Sequence, residues 1–285
     1  MSDQTLEDLG IHETRNSKSG DGLSTNRSSN LMFEPAAELV ELPSHGLLYK
    51  NATSDTDITE KGSIRVRPMT VNEEKILTTS RLVKSGQALD MIFRNCIKSD
   101  IEPGELLSSD RVFIMLWLRS ISYGNLYKFN ITCPNNACGR RFEYEVDLSE
   151  HPIKEMEDES ISEPFQITLP VMKYTVHFRL PRGKDEVEII KMQNKPKKID
   201  DTDDSIVHRL SSIMTKIEDP EGKEVPSNQY QRFVESLVGR DASAIRNLID
   251  EVDAGVEDIE GIRCPYCDHE FDTPIPITEN FFRSE

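Results

Sequence analysis

Two short segments of this 285-residue chain repeat one arrangement of cysteine, proline and phenylalanine. The first knuckle, CPNNACGRRF, begins at Cys133 and reaches its second thiol at Cys138. The second knuckle, CPYCDHEF, begins at Cys264 and reaches its second thiol at Cys267. In both, proline follows the first cysteine and phenylalanine lies four residues after the second. A tight loop of this kind directs two thiolates toward one point, which supplies half of a tetrahedral zinc site.

The two knuckles together predict a closed Cys₄ site, a split zinc ribbon with one structural zinc per chain. Its predicted ligands are Cys133, Cys138, Cys264 and Cys267. Four thiolates fill the coordination shell, which argues against catalysis at the metal. His269 follows closely enough to replace a ligand, although a solvated loop histidine is the favoured interpretation. Two further interpretations stay open: the pairs serve separate purposes, for example as a redox pair, or the thiols are free.

The charge balance restricts the classes of partner. The chain has 34 basic and 51 acidic residues, a net charge of −17, so we expect its surface to repel nucleic acid. No run of 18 or more apolar residues is present and the first residues lack a signal peptide pattern, so we expect a soluble protein without a membrane-spanning segment. The odd number of cysteines, five, then favours metal binding over disulfides. Sequence motifs of serine hydrolases, zinc proteases and phosphate-binding loops are absent, so we expect no enzymatic activity.

The elements around the first knuckle follow from hydrophobic periodicity. Alternation of apolar residues over 127–131 and 142–148 predicts a β-hairpin with the first cysteine pair at its tip. The preceding segment, SSDRVFIMLWLRSISYG, is strongly apolar and predicts a central buried helix. We expect Asp110 or a serine before it to cap this helix and Gly124 to end it.

A helix start is also predicted upstream. SIRVRPM, over 63–69, indicates a short strand that its proline ends or places at an edge. Thr70 and Glu73 then match the S/T-x-x-E pattern of a capping box, in which each side chain binds the backbone amide of the other residue. A second helix follows, and Cys96 lies on its apolar stripe, where we expect a small buried hydrophobic residue.

These elements predict an α+β fold: a helical core with short β-hairpins, closed by the split Cys₄ zinc ribbon. An arm over 33–49 is expected to lie extended on a surface, and helices are expected through 184–255, with Asp241 capping the last. The predicted parts are a disordered tail (1–32), an α+β region with the first knuckle (33–148), an acidic linker (149–163), a strand plus helical insertion (164–263), and the second knuckle with a terminal strand (264–285).

Two stretches are more specific than hydrophobic periodicity alone. VRPMT at 66–70 and ISYG at 121–124, with ELPSHGLLY before them, resemble the baseplate hub assembly protein family of T-even-type tailed bacteriophages. DASAIRNLIDEVDAGVEDI and the second knuckle more weakly resemble a carboxy-terminal half shared among phage tail assembly proteins. Together these similarities cover most of residues 38–282.

The resemblance implies a non-enzymatic phage tail protein needed to assemble the central hub of the baseplate. It implies contacts with other tail and baseplate hub proteins, first in the host cytoplasm and then in the tail baseplate of the virion. Arg65 and Arg67 either pair internally or bind an acidic partner, and both interpretations are open. An alternative function is a zinc-ribbon accessory factor that binds a polymerase or nucleic acid. A zinc hydrolase would require an open metal position.

Overall fold

The central helix predicted from the sequence is present in the computed structural model, which describes residues 33–156, 160–193, 204–277 and 281–282. The tail predicted over 1–32 lies outside the described residues. The described residues from Pro35 onward belong to one compact unit. Its α-helices are α1 (Thr56–Thr59), α2 (Val71–Thr78), α3 (Ser80–Lys84), α4 (Gln87–Cys96), α5 (Ser108–Tyr123), α6 (Gly183–Gln193), α7 (Ser205–Ile213), α8 (Tyr230–Ser236) and α9 (Gly239–Val252). Its strands are β1 (Glu38–Glu41), β2 (Ser63–Val66), β3 (Leu126–Thr132), β4 (Arg141–Asp147), β5 (Ile153–Lys154), β6 (Phe165–Thr168), β7 (Thr175–Phe178), β8 (Met214–Glu218), β9 (Gly255–Val256), β10 (Ile259–Arg263) and β11 (Glu270–Thr273).

The strands form short antiparallel groups, which confirms the mixed helix and strand fold with short hairpins. Within the described ranges, β1–β2, β3–β4, β5–β9 and β10–β11 are two-stranded, and one sheet has three strands in the order β6–β7–β8. Every pairing among them is antiparallel. Sheets this small are stable only when they pack against other elements, so the helices must supply most of the core.

Helix α5 lies at the centre of the larger apolar core. Ile114 and Leu118, one turn apart, have no exposed surface, and Gly124 ends the helix with a φ of 97°. The predicted N-terminal cap is wrong. The helix is preceded by Leu107, which makes no side-chain cap, and Asp110 is fully buried among other partners.

The predicted capping box at the start of α2 is confirmed. The hydroxyl of Thr70 accepts from the amide of Asn72 at 3.3 Å, and the Glu73 carboxylate accepts from the Thr70 amide at 2.8 Å. The Glu73 carboxylate also accepts hydrogen bonds from the two terminal nitrogens of Arg67, at 3.1 and 3.2 Å. The corner therefore joins β2 to α2 through a buried ion pair. Cys96 has no exposed surface, as predicted.

The arm that precedes β2 is more regular than the extended segment expected from the sequence. Its residues Glu38–Glu41 form β1 and pair with β2, which satisfies backbone groups that a lone arm would leave to water. The chain then turns through His45 and Gly46, which both have positive φ. A Cβ atom at Gly46 would lie 1.9 Å from the carbonyl oxygen of Ile58, so only glycine fits there.

The insertion has an apolar cluster of its own, which includes Val176, Ile217, Phe233 and Ile245. The prediction of helices throughout 184–255 is wrong at Met214–Glu218, because these residues form β8 and pair with β7. The cap predicted for α9 is also wrong. The Asp241 carboxylate instead accepts from the amides of Val171 and Met172 at 2.8 and 3.0 Å, which attaches α9 to the β6–β7 turn.

The segment expected to be a solvated acidic linker makes contacts with the core. Ile153–Lys154 forms β5 against β9, and Met156 is 4% exposed. The Lys154 ammonium donates to the carbonyls of Asp250 and Glu251 in the last turn of α9. A cation at this position complements the partial negative charge of the helix end. The described part of the linker is thus held against the body of the protein.

Candidate metal centre

The first knuckle lies at the tip of the β3–β4 hairpin, as predicted. The amide of Cys133 donates to the carbonyl of Arg140 at 2.9 Å, which closes the loop just beyond the two seven-residue strands. Inside the loop, the amide of Cys138 donates to the carbonyl of Asn135 at 2.8 Å. This turn brings both thiols of the knuckle to one side of the hairpin tip, where they meet the second knuckle.

The second knuckle repeats this backbone arrangement at the tip of β10–β11. Arg263 pairs with Glu270 at the end of the ladder, and the amide of Cys264 donates to the carbonyl of His269 at 3.0 Å. The amide of Asp268 donates back to the carbonyl of Cys264 at 2.9 Å, and Asp268 takes a φ of 57°. The similarity that the sequence shows between the knuckles is therefore also a similarity of backbone geometry.

The structure brings all four predicted ligand residues together. Their sulfur atoms lie within 4.8 Å of one another, with Sγ–Sγ distances of 3.7 Å between Cys133 and Cys267 and 3.8 Å between Cys138 and Cys264. A tetrahedron of thiolates around zinc, with bonds of ~2.3 Å, has edges of ~3.8 Å. A disulfide would require ~2.05 Å. The donor set and the separations both fit a metal that prefers four soft sulfur ligands.

The phenylalanines that follow the two knuckles contact each other. Phe142 and Phe271 meet edge to face with ring centroids 6.4 Å apart, so the equal spacing in the two knuckles places equivalent residues in contact. His269 stacks on Phe271 and is not part of the cluster of possible metal ligands. The favoured interpretation of His269 as a loop histidine agrees with this position.

The thiols of the cluster differ in acidity. Burial raises the pKa of Cys133 to about 12. Burial acts in the same direction on Cys264, but hydrogen bonds from the amides of Tyr266 and Cys267 outweigh it and lower its pKa to about 7. Four neighbouring thiolates repel one another, and a bound cation removes that repulsion. Metal binding here would therefore release protons, and its affinity would rise with pH.

A comparison with protein-family models identifies the family of the chain. Residues 50–283 match the family model described as T4 bacteriophage base plate protein. The chain belongs to this family. The match extends through both knuckles and the insertion between them, which supports the resemblance noted in the sequence to a T4-type phage baseplate protein. Searches of curated proteins and of solved structures found no match.

No described helix of this base plate family member is long and apolar enough to span a membrane. Membership of the family gives the class of protein, which is a baseplate component of a T4-type phage. The roles of individual residues must be argued from their surroundings in this chain.

The two arginines of the VRPMT region have different surroundings in the base plate family member. Arg67 is 6% exposed and is paired with Glu73, a residue with 1% exposure. Burial opposes ionisation of Glu73, but hydrogen bonds from Arg67 and Thr70 lower its pKa to about 2. Arg65 is exposed and donates to Asp57 at 2.8 and 3.0 Å. Both side chains have internal carboxylate partners, and their binding to an acidic partner stays a prediction.

A buried carboxylate network was not foreseen from the sequence. Asp110, fully buried, accepts from the hydroxyls of Ser44 and Tyr49 at 2.5 and 2.6 Å. The Tyr49 hydroxyl in turn accepts from the amide of Leu107 at 2.8 Å, at the start of α5. Burial raises the pKa of Asp110. The network attaches the ELPSHGLLY arm to the central helix, and an acidic residue inside an apolar helix was the available signal for it.

Proposed function

We propose that the chain is a non-enzymatic structural protein that takes part in assembly of the central hub of the baseplate through contacts with other baseplate proteins. Membership of the base plate family over residues 50–283 supports this role. The resemblance of VRPMT and ISYG to hub assembly proteins supports the hub as the location. The cysteine cluster supports a structural rather than a catalytic metal, because four thiolates fill a tetrahedral shell.

We propose that Cys133, Cys138, Cys264 and Cys267 hold one structural zinc ion. The observation that carries this proposal is the convergence of sulfurs from knuckles 126 positions apart on one point, with separations suited to tetrahedral ligation. When bound, the ion would join the two hairpin tips at their outer ends. The insertion of residues 164–263, which has an apolar cluster of its own, would then be anchored at the point where the chain leaves and returns to the ribbon.

Elemental analysis of the purified chain tests the metal site. We expect one zinc per wild-type chain and none in Cys264→Ser. Cys96→Ala is the matched control, because Cys96 is a buried thiol outside the cluster and its loss should leave the zinc content unchanged. After cobalt replacement, the absorption spectrum should be that of an all-thiolate tetrahedral site. Zinc at the wild-type level in Cys264→Ser would contradict the ligand set.

Phage propagation tests the proposed role. A phage that lacks this chain should accumulate incomplete baseplates without a central hub in negative-stain electron micrographs. The wild-type chain supplied in trans should restore complete baseplates, the Cys96→Ala chain should do so equally, and the Cys264→Ser chain should restore fewer. Complete baseplates in the absence of the chain would overturn the assembly role and leave the metal site to be judged by its zinc content.

A further inference from the structure

The outer end of the ribbon carries cations in an otherwise acidic chain. We call the residues Arg140, Arg141 and Tyr266 the ribbon tip. The guanidinium of Arg140 lies over the Tyr266 ring at 4.9 Å, a contact that joins the first knuckle to the second. Tyr266 is 53% exposed, and both arginines are exposed. Within the described residues neither arginine has a carboxylate partner, although the chain has 51 acidic residues.

A second surface has the opposite character. A cleft of about 540 Å³ lies where α9, β9 and β10 meet, and five exposed carboxylates line it. We call these residues the acidic cleft: Asp250, Glu257, Asp258, Glu260 and Asp272. Among the described residues, none of the five is joined to a cation by an ion pair. The one lysine in the cleft, Lys154, is already bound to the carbonyls at the end of α9. The cleft therefore carries a net negative charge, because its exposed carboxylates outnumber this lysine.

We propose that the ribbon tip of one copy of the chain binds the acidic cleft of a second copy. The two surfaces are complementary in charge, and arginine binds carboxylates in pairs of parallel hydrogen bonds. Exposed tyrosine and arginine are also the residue types that contribute most binding energy at protein interfaces. The stacking of Arg140 on Tyr266 fixes the tip before contact, which lowers the entropy lost on binding.

The geometry of one chain favours contact between copies. Glu260 lies on β10 only three residues before Arg263, which directly precedes the second knuckle, yet in the part of the chain that the structure describes no ion pair joins the cations of the tip to the carboxylates of the cleft. Because the two binding surfaces differ, the contact is head to tail. Such contacts build a ring where the rotation between copies closes, and an open filament where it does not.

The net charge of the chain opposes self-association but does not prevent it. Copies with a charge of −17 repel one another at long range. At about 0.1 M salt the Debye length is ~10 Å, so distant charges are largely screened while the paired charges at the contact are not. Association should therefore be measurable at about 0.1 M salt and lost at about 1 M salt, where the Debye length is ~3 Å.

Sedimentation velocity on the full chain tests the proposal with two charge-reversal variants. The tip variant carries Arg140→Glu and Arg141→Glu, and the cleft variant carries Asp258→Lys and Glu260→Lys. We expect wild type to show a sedimentation coefficient that rises with concentration at low salt. Each variant alone should remain monomeric. An equimolar mixture of the two should associate again, because the reversed tip now fits the reversed cleft.

A matched control separates the local contact from a change in net charge. Lys75→Glu with Lys223→Glu alters two exposed cations elsewhere and changes the net charge by the same amount as the tip variant. This control should associate like wild type. The proposal is overturned by a wild type that stays monomeric at low salt, by variants that associate unchanged, or by a mixture that fails to recover. It is also overturned if the tip binds duplex DNA in a gel shift while wild type shows no self-association.

The inference rests on the proposed metal site only in that the metal would hold the two halves of the tip together. Zinc content is therefore measured on the same samples. A wild type that holds zinc but does not associate would overturn the contact and leave the metal site intact. A wild type that associates without zinc would contradict the metal site and leave the contact supported by the charge-reversal mixture.

Discussion

The cysteine cluster and the Asp110 network solve the same problem with different chemistry. Each joins segments that are distant in sequence: Cys138 and Cys264 are 126 positions apart, and Ser44 and Asp110 are 66 apart. The cysteines meet at the end of two hairpins, where Cys267 is exposed. The carboxylate meets its hydroxyl partners in the fully buried interior.

The difference shows where each kind of attachment is useful. Hairpin tips bury little apolar surface, so the hydrophobic effect stabilises them weakly and a metal can contribute most of the holding energy. The arm already buries Leu42 and Tyr49. There the carboxylate mainly satisfies hydroxyl and amide groups that burial would otherwise leave unpaired. The proposed metal adds stability to a weak region, whereas the carboxylate prevents a loss of stability in a strong one.

Removal of the metal should have the largest effect. Excess chelator should lower the thermal midpoint of the wild type by on the order of 10 °C, because metal binding and ribbon folding are coupled. The midpoint of Cys264→Ser should already be low and should not respond to chelator. Differential scanning calorimetry of both proteins measures this, with Cys96→Ala as the control that keeps the wild-type response. Equal midpoints with and without chelator would remove the contrast between the two regions.

Loss of Arg67 should have the next largest effect. Arg67→Met leaves the buried Glu73 carboxylate without its cation, which should cost about 4 kcal/mol of unfolding free energy in urea. Arg65→Met is the matched control. Its ion pair with Asp57 is exposed on the arginine side, so the urea midpoint should change little. If the two variants were equally stable, Arg67 would be better explained as a residue reserved for a partner.

Loss of the Asp110 network should lower the free energy of unfolding somewhat less than loss of Arg67. Asp110→Ala removes the acceptor for the hydroxyls of Ser44 and Tyr49 and for the amide of Ser44. It should cost about 3 kcal/mol, because three buried donors lose their partner. Asp110→Asn keeps an acceptor oxygen of similar size and should cost less. Urea unfolding of both variants at one pH measures the difference. An Asp110→Ala chain as stable as wild type would mean that the arm is held by its apolar residues alone.

The sequence was informative where the chemistry is unusual or local. Paired cysteines are rare enough that two knuckles predict one site, and their four sulfurs do converge. The capping box of Thr70 and Glu73 depends on residues three positions apart, so it too could be predicted. Neither prediction requires knowledge of how distant segments pack.

The failures concern residues whose partners are distant. Asp110 and Asp241 were expected to cap helices, but their partners lie at least 61 positions upstream. Strand β8 was predicted as helix because Ile217 continues the helical spacing of Ile206, Leu210 and Ile213. A register shift beside Phe178 disrupts the alternation that would have revealed the strand. Pairing with distant segments decided the structure at these positions, and local sequence patterns do not reveal which segments will pair.

The smallest predicted effect concerns a half-buried carboxylate beside the network, Asp253. Burial raises the pKa of Asp253 to about 6, although the Ser109 hydroxyl donates to it at 2.8 Å. The unfolded value is about 3.9. The folded chain therefore holds an extra proton between these values, and the resulting stability is fully present below pH ~3.9 and lost as pH rises through about 6.

Asp253→Asn should remove this dependence. Relative to wild type, its unfolding free energy should rise as the pH is raised through about 6, measured by urea titration on either side of that value. Asp250→Asn changes an exposed carboxylate three residues away and should give a profile parallel to wild type. Glu73 does not enter this range, because its lowered pKa of about 2 places its loss of stability at more acidic pH. Parallel profiles for Asp253→Asn and wild type would show that Asp253 is solvated, and that the interior around Asp110 is less dry than its burial indicates.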